Sequence, residues 1–250
     1  MARRKNFDID HVLRDWAFQP GEVNARLVRA SDGRQVLQMR VDMGVLQLEV
    51  TNRPDGERPG GAETYFDYLM GVAIHEGDDF ELSEEQCDEA DREFIQYYHR
   101  RICWLSLREF KNAVRDADHT LAFMDFVKTC SPSEEWTASH EQYRPFILFH
   151  RTQAAALAVL EEAGPEEAIE EINQGLDNIR SFLEEYDALE RFEEDELVQR
   201  LNEMKESLRE HYHIGRTLQE RLADAIAAEQ YELAAQLRDE ISQKRDGGRN

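Results

Sequence analysis

The chain has 250 residues, with 30 Lys and Arg against 53 Asp and Glu, for a formal net charge of −23. Its apolar share of 41% suffices for one sizeable core or two modest ones and lies well above that of a disordered tail. The acidity argues against a general nucleic-acid binder and against docking on anionic lipid, because both need a concentrated basic face.

In chain order, residues 7–20 read as a short helix and a loop. Ile9, Val12, Leu13 and Trp16 share one helical stripe, and Pro20-Gly21 ends it. Residues 23–50 are the β region. Ala25 to Arg29 is followed by Ser31-Asp32-Gly33-Arg34, where Asp-Gly signals a hairpin. Leu37, Met39 and Val41 then alternate with Gln38, Arg40 and Asp42. Met43-Gly44 makes a second turn, and Leu46, Leu48 and Val50 alternate with Gln47 and Glu49. The pattern predicts a three-stranded antiparallel meander with one buried face, which needs a cover. Residues 52–61 form a Pro- and Gly-dense loop. It reads as a connector, with a ligand loop as the functional alternative, and it lacks the Lys-Ser/Thr pair of a phosphate-binding loop.

From residue 62 the pattern is helical. Tyr65, Phe66, Leu69, Val72 and Ala73 stripe a helix over 62–74, which Gly77 breaks. Ser83 with Gln86 three residues on predicts a capped start for a helix from Glu84 to about Leu107. Two later stretches share a pattern: Trp104 to Val114, and Val159 to Ile169. Each runs from an apolar helix through a short turn to Ala113-Val114 or Ala168-Ile169, with Leu121 and Leu176 at matching places beyond. This resembles the tetratricopeptide helix–turn–helix unit, in which a small residue lets two helices pack closely. Ala113 and Ala168 stand 55 residues apart, not the ~34 of that family. A peptide-binding groove is the functional reading, and a plain helical bundle is the alternative.

The charge is uneven. Residues 61–100 hold 12 acidic and 2 basic residues, and 151–200 hold 15 and 4. In the second block the carboxylates pair as Glu161-Glu162, Glu166-Glu167, Glu170-Glu171 and Glu184-Glu185. They lie opposite an apolar stripe of Ile169, Ile172, Leu176, Ile179 and Leu183, so a solvated face is the simple interpretation. Leu197, Leu201, Met204 and Leu208 then mark a heptad-like seam on a helix from Asp195 to His213.

The most specific pattern lies between Thr217 and Lys244. Leu218, Leu222, Ala225 and Ile226 stripe a first helix, Glu229-Gln230-Tyr231 turns, and Glu232 opens a second helix with Ala234, Ala235, Leu237, Arg238, Asp239 and Ile241. The segment resembles the UVR domain, the helical hairpin shared by the UvrB and UvrC excision-repair proteins. It rests on Leu218, Leu222, Ala225, Tyr231-Glu232-x-Ala234-Ala235 and Leu237-Arg238-Asp239-x-Ile241. The same hairpin also occurs in the activator of the bacterial protein-arginine kinase and in Clp-associated proteins, so the resemblance implies a mode of contact more than a reaction. In the family, one hairpin pairs with another. That implies a protein partner, another UVR-bearing protein or a second copy. The contact residues would be Leu218, Leu222, Ala225, Ile226, Tyr231, Ala234, Ala235, Leu237, Arg238, Asp239 and Ile241, with Arg238-Asp239 as the polar fastening of the hairpin or of its interface. A Walker-type loop, an endonuclease signature and paired Cys-x-x-Cys motifs are not found in the sequence.

Catalytic residues are not nominated, and no metal or cofactor is expected. His99 and Cys103 sit four apart on a predicted helix, but two ligands do not make a site. Asp78, Asp79, Glu81, Asp88 and Asp91 could hold Mg²⁺. The longest apolar run, Ala154 to Leu160, is too short to span a membrane. The basic start lacks an apolar signal core, and the three cysteines are widely spaced, so a reducing cytoplasm is the expected compartment.

The expected fold is α+β and predominantly α. It comprises an N-terminal meander unit (1–76), a tetratricopeptide-like region ending in a long helix (83–213) and a UVR hairpin (215–245). The expected function is that of a non-enzymatic adaptor or regulatory protein of bacterial type, in DNA repair or a proteolytic stress response. The alternatives are a metal-dependent nuclease or hydrolase using the acidic 78–91 region, and a DNA-binding accessory protein, which the charge disfavours.

Overall fold

The computed structural model describes residues 8–77 and 79–247. The fold is predominantly helical with one three-stranded antiparallel sheet near the N-terminus, and the chain divides into two compact units, 1–154 and 155–250.

Unit 1 opens with α1 (Asp10–Asp15), followed by β1 (Asn24–Arg29), β2 (Gln35–Val41) and β3 (Gly44–Glu49) in the order β1-β2-β3. The register sets Leu27 opposite Leu37, and Leu37 opposite Leu48. Gly33, at φ 92°, makes the first turn. The strict alternation expected for β2 is broken, since Val36, Leu37 and Arg40 are all buried. The cause is long-range. The Arg40 guanidinium donates to the Trp16 carbonyl at 2.9 Å and to the Asp42 and Gly44 carbonyls at 3.0 Å, and so reads as an interior residue. Arg26 on β1 lies 4.1 Å from the centre of a Trp16 ring. The segment after α1 therefore reaches the face that the sequence pattern assigned to solvent.

The helices of this unit are α2 (Tyr65–Glu76), α3 (Glu84–Ser106), α4 (Phe110–Thr129) and α5 (Glu134–Glu141); α6 (Arg144–Glu162) contains the boundary between the units. The Ser83 capping box forms as expected, with both of its hydrogen bonds to Gln86 present. Between α3 and α4 the chain turns at Arg108 (φ 59°), and fully buried Ala113 and Ala117 let the two helices approach. Tyr65, Leu69, Phe80, Leu82, Phe123 and Val127 form the main apolar cluster.

Beside that cluster lies a buried ionic layer. Arg100 grips Asp116 with two hydrogen bonds, at 2.7 and 2.9 Å, and donates to the Glu49 and Asn52 carbonyls at 3.1 and 2.7 Å. Trp104 Nε1 donates to the same Asp116 at 3.1 Å. Glu93, fully buried, accepts from the Tyr65 and Phe66 N–H groups at 2.6 and 3.2 Å. It thus places a carboxylate at the N-terminus of α2, where the helix dipole favours negative charge. The 52–61 loop is anchored into this layer. Tyr97 Oη donates to the Asn52 carbonyl at 3.1 Å, and buried Arg53 pairs with Asp55 and Glu89. Gly60 sits at φ 56°, where a Cβ would come within 2.8 Å of the Tyr68 ring, so both the backbone and the ring require glycine there.

Unit 2 contains α7 (Pro165–Glu185), a 3-10 turn at Leu189–Glu194, α8 (Glu196–Tyr212), α9 (Leu218–Ala227) and α10 (Tyr231–Gly247). α7 starts after Gly164 (φ 112°), with Pro165 in its first turn. Its expected stripe, Ile169, Ile172, Leu176, Ile179 and Leu183, is buried, and α7 packs against α8. Asp195 caps α8 by accepting from Leu197 N at 2.8 Å and Val198 N at 3.3 Å. On α8 the buried residues are Val198, Leu201 and Leu208, while Leu197 and Met204 are half-buried, so the seam is shifted from the simple heptad. None of the helices among the described residues is long and apolar enough to cross a membrane.

Candidate partner-binding hairpin

The C-terminal hairpin is built from its caps inward. Thr217 Oγ1 accepts from Glu220 N at 3.2 Å, and Glu220 Oε2 accepts from Thr217 N at 2.9 Å, closing a full capping box at the start of α9. At its other end, Gln230 N donates to the Ala225 carbonyl at 2.8 Å and Glu229 N to the Ile226 carbonyl at 3.0 Å. With Glu229 at φ 56°, this is a Schellman turn carrying Glu in the left-handed position that glycine prefers. α10 then begins at Tyr231, one residue earlier than the sequence pattern suggested.

The two helices meet over a thin core of buried Ala225, Ala234 and Leu237, flanked by Leu218 and Leu222. Small side chains at 225 and 234 allow the close approach. The remaining residues of the sequence-derived contact set lie elsewhere. Ile241 is half-buried, and Ala235, Arg238 and Asp239 are exposed. Ile226 and Tyr231 flank the turn with 55% and 69% of their surface exposed, and Leu233 behind them is 39% exposed. The turn end of the hairpin therefore presents large apolar side chains that its own core does not use.

The base of the hairpin is tied down by residues that the sequence pattern did not single out. Glu220 Oε1 accepts from Asn173 Nδ2 on α7 at 3.2 Å and from Arg209 on α8. Asn173 Oδ1 in turn accepts from Lys205 Nζ at 3.2 Å. Burial acts to raise the Glu220 pKa, but the Thr217 N–H, the Asn173 amide and the Arg209 guanidinium outweigh it, and the pKa falls below the ordinary carboxylate value. Glu220 with Arg209 and Asn173 thus fastens the base of the hairpin. Arg238 and Asp239 face solvent. A carboxylate at a capping position is visible in the sequence. Its partners, 47 residues upstream and 11 upstream, are not.

The other candidates do not converge. Asp78 lies outside the described residues. Asp79, Glu81 and Asp88 are exposed, and Asp91 Oδ1 lies 2.8 Å from His140 Nε2. Among the described residues, no group of three or more His, Cys, Asp or Glu could hold a metal ion. His99 and Cys103 do share α3, but Cys103 is fully buried and burial pushes its thiol up to about 12, while burial lowers the pKa of His99. Cys87, Cys103 and Cys130 are all free and buried.

Compared with known proteins, a family model described as the UvrB/uvrC motif (UVR) matches residues 216–246, which are the capping box, both helices and the turn. No curated protein and no solved structure matches the chain.

Proposed function

We propose that this protein is a non-enzymatic adaptor that binds a protein partner through the turn end of its UVR hairpin. The observation that carries this reading is the exposure of Ile226, Tyr231 and Leu233 on a hairpin whose own core is little more than two alanines and a leucine. Two helices with so small a core gain stability by covering their remaining apolar surface. The partner is another UVR hairpin, in a different UVR-bearing protein or in a second copy of this chain, and the setting is DNA repair or a proteolytic stress response. Three cysteines kept as buried thiols support a reducing cytoplasm as its compartment.

Affinity co-purification of the tagged full chain tests this reading, comparing the native sequence with Ile226→Glu plus Tyr231→Glu. Both positions are exposed, so the fold tolerates the change. A UVR-bearing protein, or an untagged copy of the chain, is expected with the native sequence and lost with the variant. Recovery of the same proteins in equal yield from both would sink the proposal.

A further inference from the structure

Unit 2 carries a second surface that lies away from the hairpin turn. α7, the 3-10 turn, α8 and the hairpin border an open cleft of about 1370 Å³. Its apolar lining includes Leu176, Phe192, Leu218 and Ile241, contributed by α7, the 3-10 turn, α9 and α10. Its polar rim is dominated by carboxylates, among them Glu170, Glu171, Asp177 and Glu193. The two cations in the lining are already engaged. The Arg180 guanidinium lies 4.3 Å from the centre of the Phe192 ring, and Lys205 donates to Asn173. Burial raises the Glu170 pKa, with the Glu220 charge adding to it and hydrogen bonds from Thr217 and Asn173 opposing it.

We propose that this cleft seats a basic amphipathic helix of a protein partner. An apolar floor beneath an acidic rim is the complement of a helix with an apolar stripe flanked by Lys and Arg. The stripe would cover half-buried Leu218 and Ile241 above the buried Leu176 and Phe192, and the flanking cations would meet Glu171, Asp177 and Glu193. The floor distinguishes this occupant from a small polycation, which has no apolar stripe to bury. The charge distinguishes it from a second copy of this chain, whose helices are acidic or close to neutral and none strongly basic. The cleft does not depend on the hairpin turn, so this inference and the adaptor reading can fail separately.

The test uses the full chain and a fluorescent peptide of about 16 residues, long enough for four helical turns. The peptide is built from Leu and Lys with Leu at helical spacing. Its controls are a scrambled peptide of the same composition and a Leu–Glu version. Anisotropy should show binding of the striped basic peptide that weakens with added salt. Scrambling should weaken binding by about tenfold or more, and the Leu–Glu peptide should not bind. Glu171→Lys plus Asp177→Lys should also cost about tenfold or more, because it turns two attractions into repulsions. Glu81→Lys plus Asp88→Lys removes the same charge from exposed positions in unit 1 and should change affinity by no more than about twofold, as should Ile226→Glu plus Tyr231→Glu. Circular dichroism confirms that each variant keeps its helix content. Absence of binding by the striped peptide overturns the proposal. So does equal binding of the scrambled peptide, or an equal loss from the unit 1 variant, which would reduce the effect to the overall charge of the chain.

Discussion

At the scale of single residues, unit 1 depends on charges held out of water. Asp116 accepts from Arg100 twice and from Trp104 once, and Arg100 also holds the Glu49 and Asn52 carbonyls that end the sheet. Removing the carboxylate with Asp116→Ala leaves a buried guanidinium without its counter-charge. The expected cost is about 3–5 kcal/mol, read as a shift in the urea midpoint. His150 is a second sensitive point. Burial, with the adjacent Arg101 charge, lowers its pKa from 6.5 to about 3. It therefore stays neutral in the fold, and its Nδ1 accepts from Arg101 Nε at 3.4 Å. The unfolded chain binds the proton first, so the stability that His150 contributes is complete above pH 6.5 and is lost as the pH falls from there toward 3. Lowering the pH from 7 to 5.5 should cost about 1 kcal/mol through this residue, and His150→Gln, which keeps an acceptor but cannot take the proton, should flatten that slope. A native stability curve that is level over this interval would contradict the assignment.

At the scale of elements, the hairpin is held by its two ends. Thr217→Ala removes the hydroxyl that accepts from Glu220 N in the capping box of α9, while the backbone N–H at 217 still donates to Glu220. It should cost about 1 kcal/mol, seen as faster amide hydrogen exchange over 218–243 with little change in α3 and α4. Glu229→Gly should act in the opposite direction. A non-glycine residue at φ 56° carries a left-handed penalty, and its relief, less the entropy glycine adds to the unfolded chain, should slow exchange in the hairpin by about 0.5–1 kcal/mol.

These elements also show where sequence reading succeeds. The hairpin, the Ser83 capping box, the meander and the α7 stripe are encoded by residues within a few positions of one another, so spacing alone reveals them. Arg40 and Glu220 behave differently. Both look like ordinary surface charges in the sequence, because the Trp16 carbonyl and the Asn173 and Arg209 side chains that bind them come from distant segments. Likewise Leu218, Ala225 and Ile226 form one apolar stripe in the sequence. Only the packing separates Ala225 in the core from Leu218 beside the cleft and Ile226 in solvent.

At the scale of the whole molecule, the charge of −23 gains a location. Residues 61–100 and 151–200 carry almost all of it, and in unit 2 a large share lines the cleft beside α7. The hairpin segment is close to neutral, and its exposed tip is apolar. A neutral apolar tip on an acidic body favours pairing by burial at one end while the body resists nonspecific association. The most direct test of that arrangement places a photo-crosslinking benzoylphenylalanine at position 231 of the full chain in living cells. The predicted result is an intermolecular adduct whose crosslinked peptide lies in a UVR hairpin, abolished by Ile226→Glu in the same chain. An adduct that persists unchanged with Ile226→Glu, or the absence of any intermolecular adduct at position 231, would contradict the assignment of the hairpin turn as the partner-binding surface.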